Sequence, residues 1–202
     1  MTVIDVYADI WCPFTHVGLR RLVQRRDEEG ADLRLRVRPW PLELVNGKPM
    51  DPEFIAEEVG ELRAQAAPDL FSGFRADTFP TTTLPALALV ESAHRVDLVT
   101  GEKMSLLLRS ELFERGRDIG DAQVLAELAS TSGVPPADED DHAAVRAQWE
   151  AGKERGVVGS PHFFTSTGAY FCPALDIKRV DGHFSITPDV VAFEAFVAAC
   201  FA

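Results

Sequence analysis

What most constrains this 202-residue chain is that its first forty residues read as strand, helix, strand. Residues 3–8 (VIDVYA) alternate and carry β-branched or aromatic side chains, the pattern of a strand. From Cys12-Pro13 the pattern turns helical to about residue 29, with Leu19, Leu22 and Val23 at i, i+3 and i+4 and Gly30 placed to cap the end. Residues 33–38 (LRLRVR) set Leu33, Leu35 and Val37 against three arginines, a half-buried strand closed by Pro39-Trp40-Pro41. A right-handed crossover makes two such strands parallel, so the chain opens on a βαβ unit.

Between about residues 50 and 155 only helical patterns follow. Phe54, Ile55, Val59 and Leu62 mark one helix, and an irregular stretch over 68–84 holds Phe71, Phe74 and Phe79. Pro85 opens the next helix, and Met104, Leu107, Leu108 and Leu112 mark a third. Asp121 caps a fourth that ends at Gly133, and Val145 and Trp149 mark a fifth. Strand character returns in HFFTS at 162–166, turns at Thr167-Gly168 and comes back through 169–171 as a hairpin. After a loop, Pro188 is expected to start a last helix with Phe193, Val197 and Cys200 on one face. The expected architecture is α/β: residues 1–48 and 145–202 form one unit, and 49–144 are an all-helical insertion of ordinary small-domain size.

Composition narrows the partners. The net charge is −12, from 20 Lys plus Arg against 32 Asp plus Glu, which repels nucleic acid and anionic membranes. The run Asp138-Glu139-Asp140-Asp141 reads as a solvated helix start, where carboxylates meet the positive end of the helix dipole. Cys12, Cys172 and Cys200 are too few and too scattered for a disulfide framework, which favours a reducing compartment. The opening MTVIDVYADIW lacks the basic and apolar regions of a signal peptide, and no apolar run reaches spanning length. The expected location is the cytoplasm.

Cys12 is the candidate reactive group. Pro13 after it suits the first position of a helix, which puts Cys12 at the N-cap, where free amides and the dipole favour an anion. The expectation is a thiol pKa below the ordinary value and a nucleophilic sulfur. Thr15, one turn on, brings a hydroxyl under the same sulfur; it can donate a hydrogen bond but cannot close a disulfide. Any mixed disulfide on Cys12 therefore needs another thiol to resolve it. Gly159-Ser160-Pro161 leads straight into the hairpin strand, a place where an X–Pro bond is cis in some proteins; a cis bond here would offer the Ser160 backbone to a substrate.

Other residues have two readings. Trp11 and Phe14 flank the thiol and either line a substrate slot or pack the core. Trp40, Phe71, Phe74 and Phe79 either wall a cleft between the two units or pack. His16 and His162 either tune the thiol or are packed, the second being favoured. Cys200 reads as core, while Cys172 is a candidate resolving thiol that sequence does not bring within the roughly 5.5 Å Cα separation a disulfide needs.

Trp11-Cys12-Pro13-Phe14-Thr15 with the following HVGLRRL, FERGRDIGDAQVLAELA at 113–129 and GVVGSP at 156–161 together resemble the DsbA family of the thioredoxin superfamily. The similarity is closest to its FrnE-like branch, whose relatives include 2-hydroxychromene-2-carboxylate isomerases and kappa-class glutathione transferases. The resemblance implies a thioredoxin-like fold, with Cys12 as nucleophile, Thr15 in the resolving-cysteine place, Pro161 as the cis-proline and Ser160 as the substrate contact before it. Dithiol members carry Cys where Thr15 stands, and the glutathione-using relatives usually carry Ser where Cys12 stands. Three functions follow as expectations. The first is a monothiol oxidoreductase acting on disulfide or glutathionylated substrates, with no tightly bound cofactor and glutathione or a similar small thiol as co-substrate. The second is a glutathione-dependent isomerase or transferase, and the third is a non-catalytic binding module. Trp11, Pro13, Phe14, Ser160 and Pro161 are the expected substrate contacts.

Overall fold

The structure, a computed structural model, describes residues 1–202. Strand β1 (Thr2–Ala8) runs parallel to β2 (Leu33–Pro39), with Ile4 opposite Leu35 and Val6 opposite Val37. Helix α1 (Pro13–Glu29) makes the crossover and stops at Gly30, whose φ of 61° is the left-handed cap expected there. The alternation of LRLRVR buries Leu33, Leu35 and Val37 on one face.

Six helices follow: α2 (Leu42–Asn46), α3 (Pro52–Gln65), α4 (Leu84–Val96), α5 (Leu98–Phe113), α6 (Ala122–Ser132) and α7 (Glu139–Glu154). The acidic run opens α7 as a capping box, with Asp138 and Asp141 each accepting the other's backbone N–H. Helix α7 passes unbroken through residues 144 and 145 and ends at Glu154. The short α2 was not expected, and the irregular stretch holds one turn of 3-10 helix at Ala76–Thr78.

Strand β3 (His162–Phe164) joins the sheet antiparallel to β1, and β4 (Ala169–Phe171) pairs with β3, giving the order β2-β1-β3-β4. Helix α8 (Val190–Phe201) lays Phe196, Val197 and Cys200 onto this sheet with Phe163, Leu19 and Leu22. A larger core runs beneath the helical segment and includes Trp11, Phe71, Phe113 and Ile186.

The segment expected to be a loop before the last helix is a second hairpin, β5 (Leu175–Val180) with β6 (His183–Pro188). Its two-residue turn, Asp181-Gly182, takes positive φ at both positions (52° and 85°), as a tight hairpin with right-twisted strands requires. Pro188 therefore ends a strand, and Asp189 caps α8 by accepting from Ala192 N. The hairpin docks on α3, where Gln65 donates to Phe184 O and accepts from Ile186 N.

Candidate active site

Cys12 is the N-cap of α1, with extended backbone (φ −75°, ψ 111°) and Pro13 in the first turn. From there its thiol donates to the backbone carbonyl of Ser160, Sγ to O 3.1 Å. Thr15 Oγ1 lies 2.7 Å from Ser160 Oγ, which also accepts the N–H of Asp9 at 2.9 Å. One serine thus ties the end of β1, the start of α1 and the loop before β3 together. The Ser160–Pro161 peptide bond is cis. Cys12 is 5% exposed and Thr15 fully buried, while Ser160 is half-buried and is the member of the cluster that meets solvent.

The expected depression of the Cys12 pKa is not found. Burial raises it above the ordinary thiol value, and the Glu58 carboxyl adds to the rise. The Thr15 hydroxyl, the Thr15 amide and Ser160 pull the other way, so the helix-start effect is present but outweighed. The thiol is neutral at pH 7.

Two buried ions that the sequence reading did not single out flank the motif. Asp9, fully buried, accepts from Leu42 N (2.5 Å) and Trp11 N (3.2 Å), and burial pushes its pKa up to about 6 against those bonds. Arg109 on α5, also fully buried, donates Nη1 to Asp9 O at 2.5 Å, while its Nε and Nη2 have no partner. Burial brings its pKa down to about 10, with the charge of Asp9 opposing the fall. Glu58 on α3 is also buried, and its pKa is pushed up to about 8. A carboxylate between Ile55, Val59 and Leu62, and a guanidinium between Leu108 and Leu112, were visible in the sequence as charges interrupting apolar stripes.

The remaining candidates are placed as follows. His16 is buried and donates Nε2–H to Glu114 Oε1 at 2.8 Å; burial lowers its pKa, so the pair is a neutral imidazole on a carboxylate, not a partner of the thiol. Glu114, held near pKa 2 despite partial burial, also accepts from Phe71 N and Ser72 N and so fixes Phe71 at φ 65°. His162 Nδ1 accepts from Val158 N and its ring packs on Phe164. Trp11 is fully buried and stacked on Phe79, while Pro13 is buried and Phe14 half-buried. Of the two readings of Trp40 and the three phenylalanines, the structure shows the packed one. Trp40 packs with Tyr7 and Val157, whereas Phe71 and Phe74 pack against Phe113. Cys200 is core, as expected. Cys172 is buried at φ 45°, its N–H donating to Pro161 O at 3.0 Å. No group of three or more His, Cys, Asp or Glu is placed to hold a metal ion.

A four-stranded sheet in this order, with a helix launched from Cys12 against the loop before β3, is the thioredoxin fold. The model of the DSBA-like thioredoxin domain matches residues 3–184, and the chain belongs to that family. Among solved structures it is similar to a 2-hydroxychromene-2-carboxylate isomerase, with a TM-score of 0.64 and 14% identity over 84% of this chain and 88% of that one. It is also similar to the cytosolic disulfide reductase DsbM from Pseudomonas aeruginosa, with a TM-score of 0.60 and 15% identity over 97% of each chain. The same reductase solved with GSH gives a TM-score of 0.57 at 15% identity over 97% of each chain. No curated protein matches the sequence. No helix is long and apolar enough to cross a membrane.

Proposed function

We propose that this protein is a thiol-disulfide oxidoreductase in which Cys12 is the attacking thiol and disulfide or glutathionylated molecules, small or protein, are the substrates. The observation that carries the reading is the 3.1 Å contact between Cys12 Sγ and Ser160 O. It seats the thiol at a helix start and beneath the one half-exposed residue of the cluster. A substrate strand that pairs with the Ser160 carbonyl takes the acceptor away from the thiol and uncovers the sulfur.

Cys12 then loses its proton, and the thiolate attacks one sulfur of the substrate disulfide. The other sulfur leaves as a thiolate and takes up a proton. Thr15, with its amide, favours the anion but offers no second thiol. Glutathione or another small thiol therefore attacks the mixed disulfide, and Cys12 leaves as thiolate and is reprotonated. A second molecule of the small thiol then frees the substrate sulfur held by the first, so that two electrons pass from two small thiols, which end as one disulfide, to the substrate disulfide. Trp11, Pro13, Phe14, Ser160 and Pro161 are assigned as the substrate contacts, since they adjoin the thiol in sequence or across the Cys12–Ser160 bond. The three free cysteines suit a reducing cytoplasm.

The raised Cys12 pKa favours one other reading. A protonated Cys12, Thr15 and Ser160 form a set of donors for the sulfur of bound glutathione, as a glutathione-dependent isomerase or transferase requires. Intact-mass measurement after exposure to oxidised glutathione, on wild type and Cys12→Ser, separates the two. A thiol-reversible oxidation of Cys12, as a glutathione adduct or as a disulfide within the chain, present in the wild type and absent from the variant supports the oxidoreductase. No such oxidation of Cys12, with activity on an aromatic isomerase substrate surviving Cys12→Ser, replaces it with the second reading.

A further inference from the structure

Cys12 and Cys172 are fastened to the two halves of one dipeptide: the Cys12 thiol binds the carbonyl of Ser160, and the Cys172 amide binds the carbonyl of the next residue, Pro161. Consecutive carbonyls lie only a few ångströms apart, so this places the Cys12 sulfur and the Cys172 backbone within roughly 10 Å of each other. Both residues are buried. Cys200, the third thiol, lies in the other core between α8 and the sheet.

Cys172 also holds a backbone conformation that ordinary residues avoid. Its φ of 45° lies in the left-handed region, which costs a non-glycine residue about 1 kcal/mol, and Pro173 follows it. This conformation comes just after the last residue of β4, at the end of the ladder opposite Pro161. A turn of this kind is a place where a small backbone movement costs little, because rotation out of the left-handed region relieves strain.

We propose that Cys172 is the resolving thiol that the Thr15 position lacks. The proposal rests on Cys12 being the attacking thiol. After Cys12 has formed a mixed disulfide with a substrate sulfur, the Cys172 thiol loses its proton and its sulfur attacks the Cys12 sulfur. The Cys12–Cys172 disulfide forms, and the substrate sulfur leaves as a thiolate that takes up a proton. The two cysteines have then been oxidised by two electrons and the substrate disulfide reduced to two thiols. A small thiol such as glutathione restores the pair in two exchanges, becoming its own disulfide. The Phe171–Pro173 turn is the part that moves to bring the two Cα atoms to the 4.4–6.8 Å that a disulfide spans.

The test is intact mass and non-reducing peptide mapping after limited exposure to oxidised glutathione. It uses wild type, Cys172→Ser, Cys172→Ala and Cys200→Ser. The proposal expects the wild type and Cys200→Ser to lose two hydrogens and yield a peptide pair linked through Cys12 and Cys172. The two Cys172 variants are expected to stop at a glutathione adduct on Cys12. The linked peptides are sought in the wild-type protein, so the result stands even if a Cys172 variant folds poorly. A persistent Cys12 adduct in the wild type, without linked peptides, overturns the role of Cys172 and leaves that of Cys12 intact. No Cys12 adduct in any protein, and no linked peptides, overturns both.

Discussion

The Cys12 thiol donates to the carbonyl of Ser160, a residue 148 positions away, at 3.1 Å. In that bond the sulfur is the donor and keeps its proton, and burial together with the Glu58 carboxyl favours the neutral thiol, although a helix N-terminus points at it. The account therefore predicts a closed resting state in which Cys12 reacts slowly until a substrate competes for Ser160.

Alkylation rates report the first consequence. The midpoint of iodoacetamide reaction at Cys12 against pH is expected to lie above that of the same protein unfolded in denaturant. Occupying the Ser160 edge with a short disulfide-bearing peptide should speed the reaction. A midpoint below the unfolded value would restore the activated resting thiol expected from sequence.

Thr15 separates packing from chemistry. Thr15→Val keeps the shape but removes the hydroxyl that lies 2.7 Å from Ser160 Oγ and favours the thiolate. Urea unfolding is expected to show a loss of about 1–2 kcal/mol. The Cys12 alkylation midpoint should rise further above that of the wild type. Thr15→Ser, which keeps the hydroxyl, should restore the wild-type midpoint.

Glu58 makes stability depend on pH in an unusual direction. Its folded pKa of about 8 lies above the ordinary 4.5, so between these values the native state holds a proton that the unfolded chain has released. Its contribution is fully present below the lower value and is lost as pH rises through the upper one. Glu58→Gln stays neutral throughout. Measured by urea unfolding from about pH 5 to about pH 8, the variant should gain on the wild type by up to about 1 kcal/mol per pH unit. Parallel pH profiles would show that Glu58 is not held protonated.

The frame of this fold was legible because its signals are local. LRLRVR has the period of a half-buried strand, and Pro13 and Gly30 mark the two ends of α1. The β5–β6 hairpin was missed although Asp181-Gly182 is a turn signal and Leu175 and Ile177 alternate with Asp176 and Lys178. Pro188 has the signature of a helix start, yet it closes β6 and leaves the cap of α8 to Asp189. Cys12, Thr15 and Ser160 could be named from sequence, and the N-cap position followed from Pro13. The sign of the Cys12 pKa shift could not be read, because it depends on what closes over the sulfur. Ser160 and Glu58 reach it from distant parts of the chain. Arg109 showed in the sequence only as a charge beside an apolar stripe, and its contact with Asp9 was opaque for the same reason: a buried pair is a property of two elements brought together.

The central claim, that Cys12 carries the chemistry, is tested most directly by turnover of a glutathionylated peptide with glutathione as reductant, comparing wild type with Cys12→Ser. The account predicts a fall of at least ~100-fold in kcat/KM for a variant that unfolds at the same urea concentration as the wild type. A Cys12→Ser protein that turns over the peptide within about twofold of the wild type would contradict it.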